Sequence, residues 1–272
     1  MSMQGELTCG AAPDLLDLLT LERIDDSRYR AAIPIDDKYG LYGGQVAAQA
    51  LRAASHTVSS RHRAHSFHSY FLRRGDPAEA VTYAVDRDRD GRSYSSRRVR
   101  AFQDGRCIFT MAASFHVPES GPDVQTVAMP IVAFPESLGP FRATRAVSIE
   151  FRDPGKARDI DHPATLWART TVPVGDDPHL QACVLAYVSD MFTGMYTLDI
   201  VTPEVTMFSL DHAMWFYRPA QPSNWMLMDL VPESVAAGRG MYRGHLFSAE
   251  GVLLAGLAQE GLFRTRGGST WP

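Results

Sequence analysis

The stretch Phe208-Ser209-Leu210-Asp211-His212-Ala213-Met214-Trp215-Phe216-Tyr217-Arg218-Pro219 alternates with a period of two and is rich in aromatic residues. It ends at a proline, which cannot donate to a sheet ladder. It reads as one strand over Val205 to Tyr217. Asp211 stands out in it as a carboxylate flanked by Leu210 and Met214 rather than by other charges. An acid in such company is exposed, paired, or held for chemistry. The plain alternative is a solvated or hydrogen-bonded strand aspartate. Asp211 and His212 are adjacent, so they point to opposite faces of the strand and cannot form a dyad.

The stretch has a partner. His65-Ser66-Phe67-His68-Ser69-Tyr70-Phe71-Leu72-Arg73 mirrors it, down to an arginine after an aromatic strand. The turns repeat as well: Asp90-Gly91-Arg92 against Ala237-Gly238-Arg239, and Gln103-Asp104-Gly105 against Ala249-Glu250-Gly251, each about half a chain apart. The chain therefore reads as a duplicated unit.

In the first copy a short helix over Asp14 to Leu19 and an entering strand over Leu21 to Ala32 precede the main helix. Tyr42-Gly43-Gly44-Gln45-Val46 opens that helix, and the almost wholly small or aliphatic run Val46 to Ala54 predicts that it is buried. Strands follow over His65 to Leu72, Ala80 to Asp88, Ser93 to Gln103 and Cys107 to His116. In the second copy strands over Val147 to Phe151 and Thr165 to Val172 precede a helix over Asp176 to Phe192. Strands over Val205 to Tyr217, Trp225 to Pro232, Gly240 to Phe247 and Leu253 to Phe263 complete it.

One helix wrapped by a curved antiparallel sheet is the hotdog arrangement, an α+β architecture. Twice over, it predicts a double hotdog, with one unit in residues 1–117, a Pro-rich linker in 118–145 draped over the surface, and a second unit in 146–272. Two half-sheets that pair edge to edge remove two exposed edges. Residues 1–12 are small and polar and read as disordered.

Composition bounds the function. The 272 residues carry a formal net charge of −4, so nucleic acid is not expected as a partner. The cysteines Cys9, Cys107 and Cys183 form no CxxC pair, which argues against zinc and disulfides and for a reducing compartment. There is no signal-peptide pattern and no window long enough to span a membrane, so a cytoplasmic protein is expected. No GxSxG elbow, P-loop, HExxH or GxGxxG is present. His62, His65 and His68 fall at spacings that suit a metal poorly on a strand, and neither a metal nor a cofactor is expected. Arg87-Asp88-Arg89-Asp90 with Arg97-Arg98 reads as a solvated hairpin and its flank, or else as arginines that meet an anionic ligand.

Asp211, Glu233-Ser234 and Gln259 fall on three successive strands of the second copy. A carboxylate, a short hydroxyl or carboxyl, and an amide are what a water-activating site requires. Taken alone, the residues read first as a set of core polar groups, and their convergence is a geometric possibility.

The motifs Tyr42-Gly43-Gly44-Gln45-Val46, His65 to Leu72, Asp90-Gly91 through Arg97-Arg98-Val99, Leu210-Asp211-His212-Ala213-Met214-Trp215-Phe216 and Gln259-Glu260-Gly261 together resemble the type II (TesB-like) acyl-CoA thioesterases. The resemblance implies hydrolysis of fatty acyl-CoA thioesters to free acid and CoA, a role in lipid metabolism, and a homo-oligomer. It also implies that an Asp, a Thr or Ser, and a Gln activate the attacking water, without a covalent acyl-enzyme. The Asp falls on Asp211 and the Gln on Gln259. The hydroxyl position falls on Glu233, a departure from the family pattern, with Ser234 next to it. Either Ser234 supplies the hydroxyl or Glu233 occupies the site beside Asp211. The departure leaves a second reading open, a non-catalytic or weakly active acyl-CoA-binding protein.

Overall fold

The structure is a computed structural model that describes residues 13–31, 40–143, 146–155, 164–198 and 205–265. The stretch 1–12 lies outside them. Helix α1 (Leu15–Leu19) starts at a capping box: Asp14 accepts from the Asp17 N–H at 2.9 Å and Asp17 accepts from the Asp14 N–H at 3.0 Å. The entering strand is a correction. It is a small hairpin of β1 (Glu22–Arg23) and β2 (Arg28–Ala31), because the Asp25 carboxylate accepts the N–H groups of Ser27 at 2.9 Å and Arg28 at 2.8 Å and turns the chain.

Helix α2 (Gly43–Ser55) follows, then the meander β3 (Arg63–Phe71), β4 (Val81–Asp90), β5 (Tyr94–Gln103) and β6 (Arg106–His116). The Pro-rich segment is not only a draped linker: its end contributes β7 (Pro140–Phe141). The second copy holds β8 (Ile149–Arg152), with which β7 pairs, β9 (Thr165–Thr170) and helix α3 (Pro178–Ser189). After them come β10 (Val205–Ser209), β11 (Asp211–Phe216), β12 (Met226–Ala236), β13 (Arg239–Ser248) and β14 (Leu253–Thr265). One antiparallel sheet runs β1-β2-β4-β5-β6-β3-β11-β14-β13-β12-β9-β8-β7, with β10 added along β14. The two copies meet where β3 pairs β11, with Asp211 opposite Tyr70 and Trp215 opposite Ser66. The strands at the two ends of this order, β1 and β7, are two residues long, too short to template pairing with another chain.

Both main helices lie against the same inner face. The apolar run of α2 from Val46 to Ala54 and of α3 from Ala182 to Val188 is buried in one core with Phe67, Val99, Met214, Leu246 and Leu257. The Tyr42 hydroxyl donates to the Tyr187 carbonyl at 2.5 Å and Arg52 pairs with Asp177 at 2.9 Å, joining the two helices across the copies. The alternate residues of the second half-sheet, Trp167, Leu227 and Phe247, face outward and would be exposed but for the Pro-rich segment. That segment covers them with Val127, Met129, Val132 and Leu138. Gln125 ties it to Gly251 and Leu253, and the Trp167 indole donates to the Ala133 carbonyl at 2.9 Å.

Arg97 departs from its solvated reading. It is buried, donating to the Thr57 hydroxyl at 2.7 Å, the Thr57 carbonyl at 2.9 Å and the Arg89 carbonyl at 2.9 Å, and it pairs with Asp90. Its neighbour Arg98 is exposed beside Asp88. Alternation along β5 sends the two guanidiniums to opposite faces.

Candidate active site

The strand read as continuous from Val205 to Tyr217 is broken at Leu210. Ser209 lies opposite Gly261, whereas Ala213 lies opposite Ala258, so the β10–β11 side carries one more residue than β14 between those pairs. An extra residue of this kind disrupts the ladder locally and re-aims a side chain. Here the Glu260 N–H donates to the Asp211 carboxylate at 2.7 Å, in place of a ladder partner. Asp211 is thereby seated in the seam between β11 and β14. Partial burial raises its pKa above the usual carboxylate range, opposed by the Glu260 N–H, reinforced by the Glu260 charge and lowered again by His68.

Gln259 sits one residue before Glu260, on the inner face of β14, and is buried. Its Nε2 donates to Asp190 Oδ1 at 2.6 Å and its Oε1 accepts the hydroxyl of Tyr242, its direct partner on β13. The Tyr242 phenol is buried, and burial first, then the carboxylates of Asp190 and Asp211, pushes its pKa well above the ordinary value, against a lowering hydrogen bond from Thr193. The Asp211 charge therefore reaches the group that touches Gln259.

His212 extends the same inner row. Its Nε2 lies 2.8 Å from the Ser189 hydroxyl, which donates its own proton to the Ala186 carbonyl at 3.0 Å. The ring then donates through Nε2 and leaves Nδ1 bare; among the described residues Nδ1 has no partner. Complete burial lowers the His212 pKa to about 4, which keeps the ring neutral. Consecutive residues Ser189 and Asp190 at the end of α3 thus engage His212 and Gln259 on adjacent strands. Among the described residues no hydrogen bond joins His212 to Asp211: His212 engages Ser189, and Asp211 the Glu260 N–H.

Glu233 and Ser234 are placed elsewhere. The register between β12 and β13 shifts between Pro232 and Ser234, and both residues beyond Pro232 are exposed. Glu233 pairs with Arg243 Nε at 2.8 Å. Among the described residues no hydrogen bond joins either of them to Asp211 or Gln259. Pro232, opposite Tyr242, is where β12 turns off the inner row. The residues absent from the sequence reading are Asp190, Tyr242 and Thr193. Asp190 carries a legible signal: a carboxylate directly after an apolar helix stands at the negative end of the helix dipole and needs a specific partner. Tyr242 and Thr193 carry none.

Among the described residues no three His, Cys, Asp or Glu side chains stand together as metal ligands, and no helix is long and apolar enough to cross a membrane. Cys183 is buried, and burial raises its pKa to about 12, which disfavours the reactive thiolate.

Family models described as the acyl-CoA thioesterase N-terminal and C-terminal domains match residues 33–116 and 118–263. The chain belongs to the acyl-CoA thioesterase family. Among its relatives in this family, the rat acyl-coenzyme A thioesterase 8 is 34% identical over 92% of this chain and 88% of the relative. Acyl-CoA thioesterase 2 of Haemophilus influenzae is 31% identical over 92% of this chain and 97% of the relative. The crystal structure of the acyl-CoA thioesterase II TesB2 from Mycobacterium marinum superposes with a TM-score of 0.81 at 35% identity, covering 94% of this chain and 98% of that one. The thioesterase fold is accordingly the double hotdog, an α+β arrangement of two tandem units.

Proposed function

We propose that the protein hydrolyses fatty acyl-CoA thioesters to free fatty acid and CoA, with Asp211 as the general base and Gln259 as the group that orients the reactants. The observation that carries the assignment is the bulge at Leu210, which seats the Asp211 carboxylate in the β11–β14 seam one residue from Gln259. Asp211 accepts a proton from water as the water oxygen attacks the thioester carbonyl. The C–S bond then breaks, and the departing thiolate takes up the proton that Asp211 accepted, which gives the acid and the free thiol and returns Asp211 to its carboxylate. The Gln259 amide, fixed by its protein partners, is suited to donate to the oxygen on which charge develops. The raised pKa of Asp211 favours the base role, since a proton acceptor works best with a pKa brought closer to the operating pH.

Glu233 faces Arg243 and solvent, so the departure from the family's hydroxyl places no second carboxylate against Asp211. This favours catalysis over mere acyl-CoA binding. We assign the units to residues 1–117 and 146–272 with the linker between them, a homo-oligomer, and a cytoplasmic location. The half-exposed Tyr70, Leu72 and Phe208 at and beside the β3–β11 joint support self-association.

The test is release of free CoA from acyl-CoAs of graded chain length by the wild type and Asp211→Asn. The expected result is hydrolysis that falls at least about 100-fold in the variant, in line with loss of a general base. Equal turnover by the variant removes Asp211 from the site.

A further inference from the structure

A glutamine amide can act toward a substrate as donor or as acceptor, and its protein partners decide which face is left. For Gln259 those partners are Asp190 and Tyr242. Asp190 Oδ1 takes an Nε2–H at 2.6 Å. Turning the amide over would set Oε1 against a carboxylate, acceptor against acceptor, so Asp190 permits one orientation. Tyr242 seats the other end by donating to Oε1. What remains free to Gln259 in this orientation is its second Nε2–H, a donor.

Asp190 is itself held. Its Oδ2 lies 2.7 Å from where a Cβ on Gly43 would stand, at the first residue of α2. The N-cap of that helix, Tyr42, supplies no side-chain bond, and a carboxylate at the positive end of a 13-residue helix is favourably placed. One carboxylate therefore joins the start of α2, the end of α3 and the amide on β14. Tyr242 stands opposite Pro232, the residue before Glu233, and brings a hydroxyl onto the inner row at the point where β12 leaves it.

We propose that Asp190 and Tyr242 are positioning residues of the thioesterase site: together they hold the Gln259 amide with an N–H toward the reacting group, and the Tyr242 hydroxyl serves where Glu233 and Ser234 do not reach. The proposal rests on the assignment of Gln259 to the site. It gives the departure at Glu233 a physical consequence, in that a hydroxyl from the next strand fixes the glutamine.

The test compares Tyr242→Phe, Asp190→Asn, Gln259→Ala and Ser234→Ala, reading kcat and KM for acyl-CoA hydrolysis alongside thermal melting of each protein. The expected result is a drop in kcat of about 10- to 100-fold for Tyr242→Phe and Asp190→Asn, with KM within about twofold of wild type, because misplacing a reacting group costs rate more than binding. Ser234→Ala is expected to match wild type. Should Asp190→Asn fail to fold, Tyr242→Phe, which removes a single oxygen, decides alone. Wild-type kcat in Tyr242→Phe together with a crippled Gln259→Ala overturns the positioning role and leaves the site standing. Wild-type kcat in Gln259→Ala instead overturns the site and the proposal with it. A tenfold or greater loss in Ser234→Ala overturns the assignment of the hydroxyl to Tyr242.

Discussion

Burial is the first cause that raises the Asp211 pKa, and two opposing features of a single neighbour adjust it. The Glu260 N–H stabilises its charged form, while the Glu260 carboxylate, held by Arg239 at 2.8 Å, repels it. A substitution that removes the charge and keeps the backbone separates the two. Glu260→Gln is expected to lower the Asp211 pKa. Since the base must be ionised to act, the acid limb of the kcat/KM profile should move to lower pH, with the plateau little changed. An acid limb that stays put, or moves upward, refutes the electrostatic account of Asp211. At the same scale, the sequence nominated Asp211 as an acid in an apolar run, and Gln259 through its place on a successive strand and the family resemblance. It did not disclose that Glu233 turns outward. That depends on a register shift at Pro232, which side-chain alternation cannot foretell.

At the scale of elements, helices and meander strands were legible because burial enforces their periods. The Gly43–Ser55 helix and the β4–β5–β6 meander lie where small-residue composition and the Asp-Gly turns put them. The elements misread were those shaped by a carboxylate that accepts backbone N–H groups: the Asp25 turn that folds the entering strand into a hairpin, and the break at Leu210, beside Asp211, that splits one strand into β10 and β11. The start of α2 ties an element to the site. A Cβ at Gly43 would stand 2.7 Å from Asp190 Oδ2 and 2.9 Å from a Phe71 ring carbon, closer than any relaxed contact. Gly43→Ala gains at most about 1 kcal/mol in helix propensity and incurs roughly 1–3 kcal/mol of overpacking. The expected net effect is a destabilisation of about 1 kcal/mol and a loss of kcat, as Asp190 is pushed off Gln259. Denaturant titration and steady-state kinetics on the purified variant check both. Retained kcat with an unchanged midpoint would show that Asp190 can move without consequence.

For the whole molecule, the duplication accounts for most of what was legible and the joint for much of what was not. Two copies predict two half-sheets, but the proposed site gathers where they meet. There the Ser69 hydroxyl of the first copy donates at 2.7 Å to the carbonyl of His212 in the second, and the His212 ring lies 5.6 Å from Phe67. This makes His212 a pH-sensitive point at the joint. Its folded-state pKa is lowered to about 4 by burial, against about 6.5 in the unfolded chain. Below pH 6.5 the unfolded chain therefore binds a proton that the native ring refuses, and stability falls with pH by up to about 1.4 kcal/mol per unit until the native pKa is reached. The contribution is fully present above pH 6.5 and amounts to about 2 kcal/mol lost on going from pH 7.5 to pH 5. His212→Gln removes the titrating ring. The variant should be less stable than wild type at pH 7.5, since it gives up packing against Phe67, and the gap should narrow by about 2 kcal/mol at pH 5. Urea unfolding of both proteins at the two pH values measures it. Parallel losses in the two proteins would mean that the joint does not sense pH through His212, and that acid sensitivity resides in the other histidines.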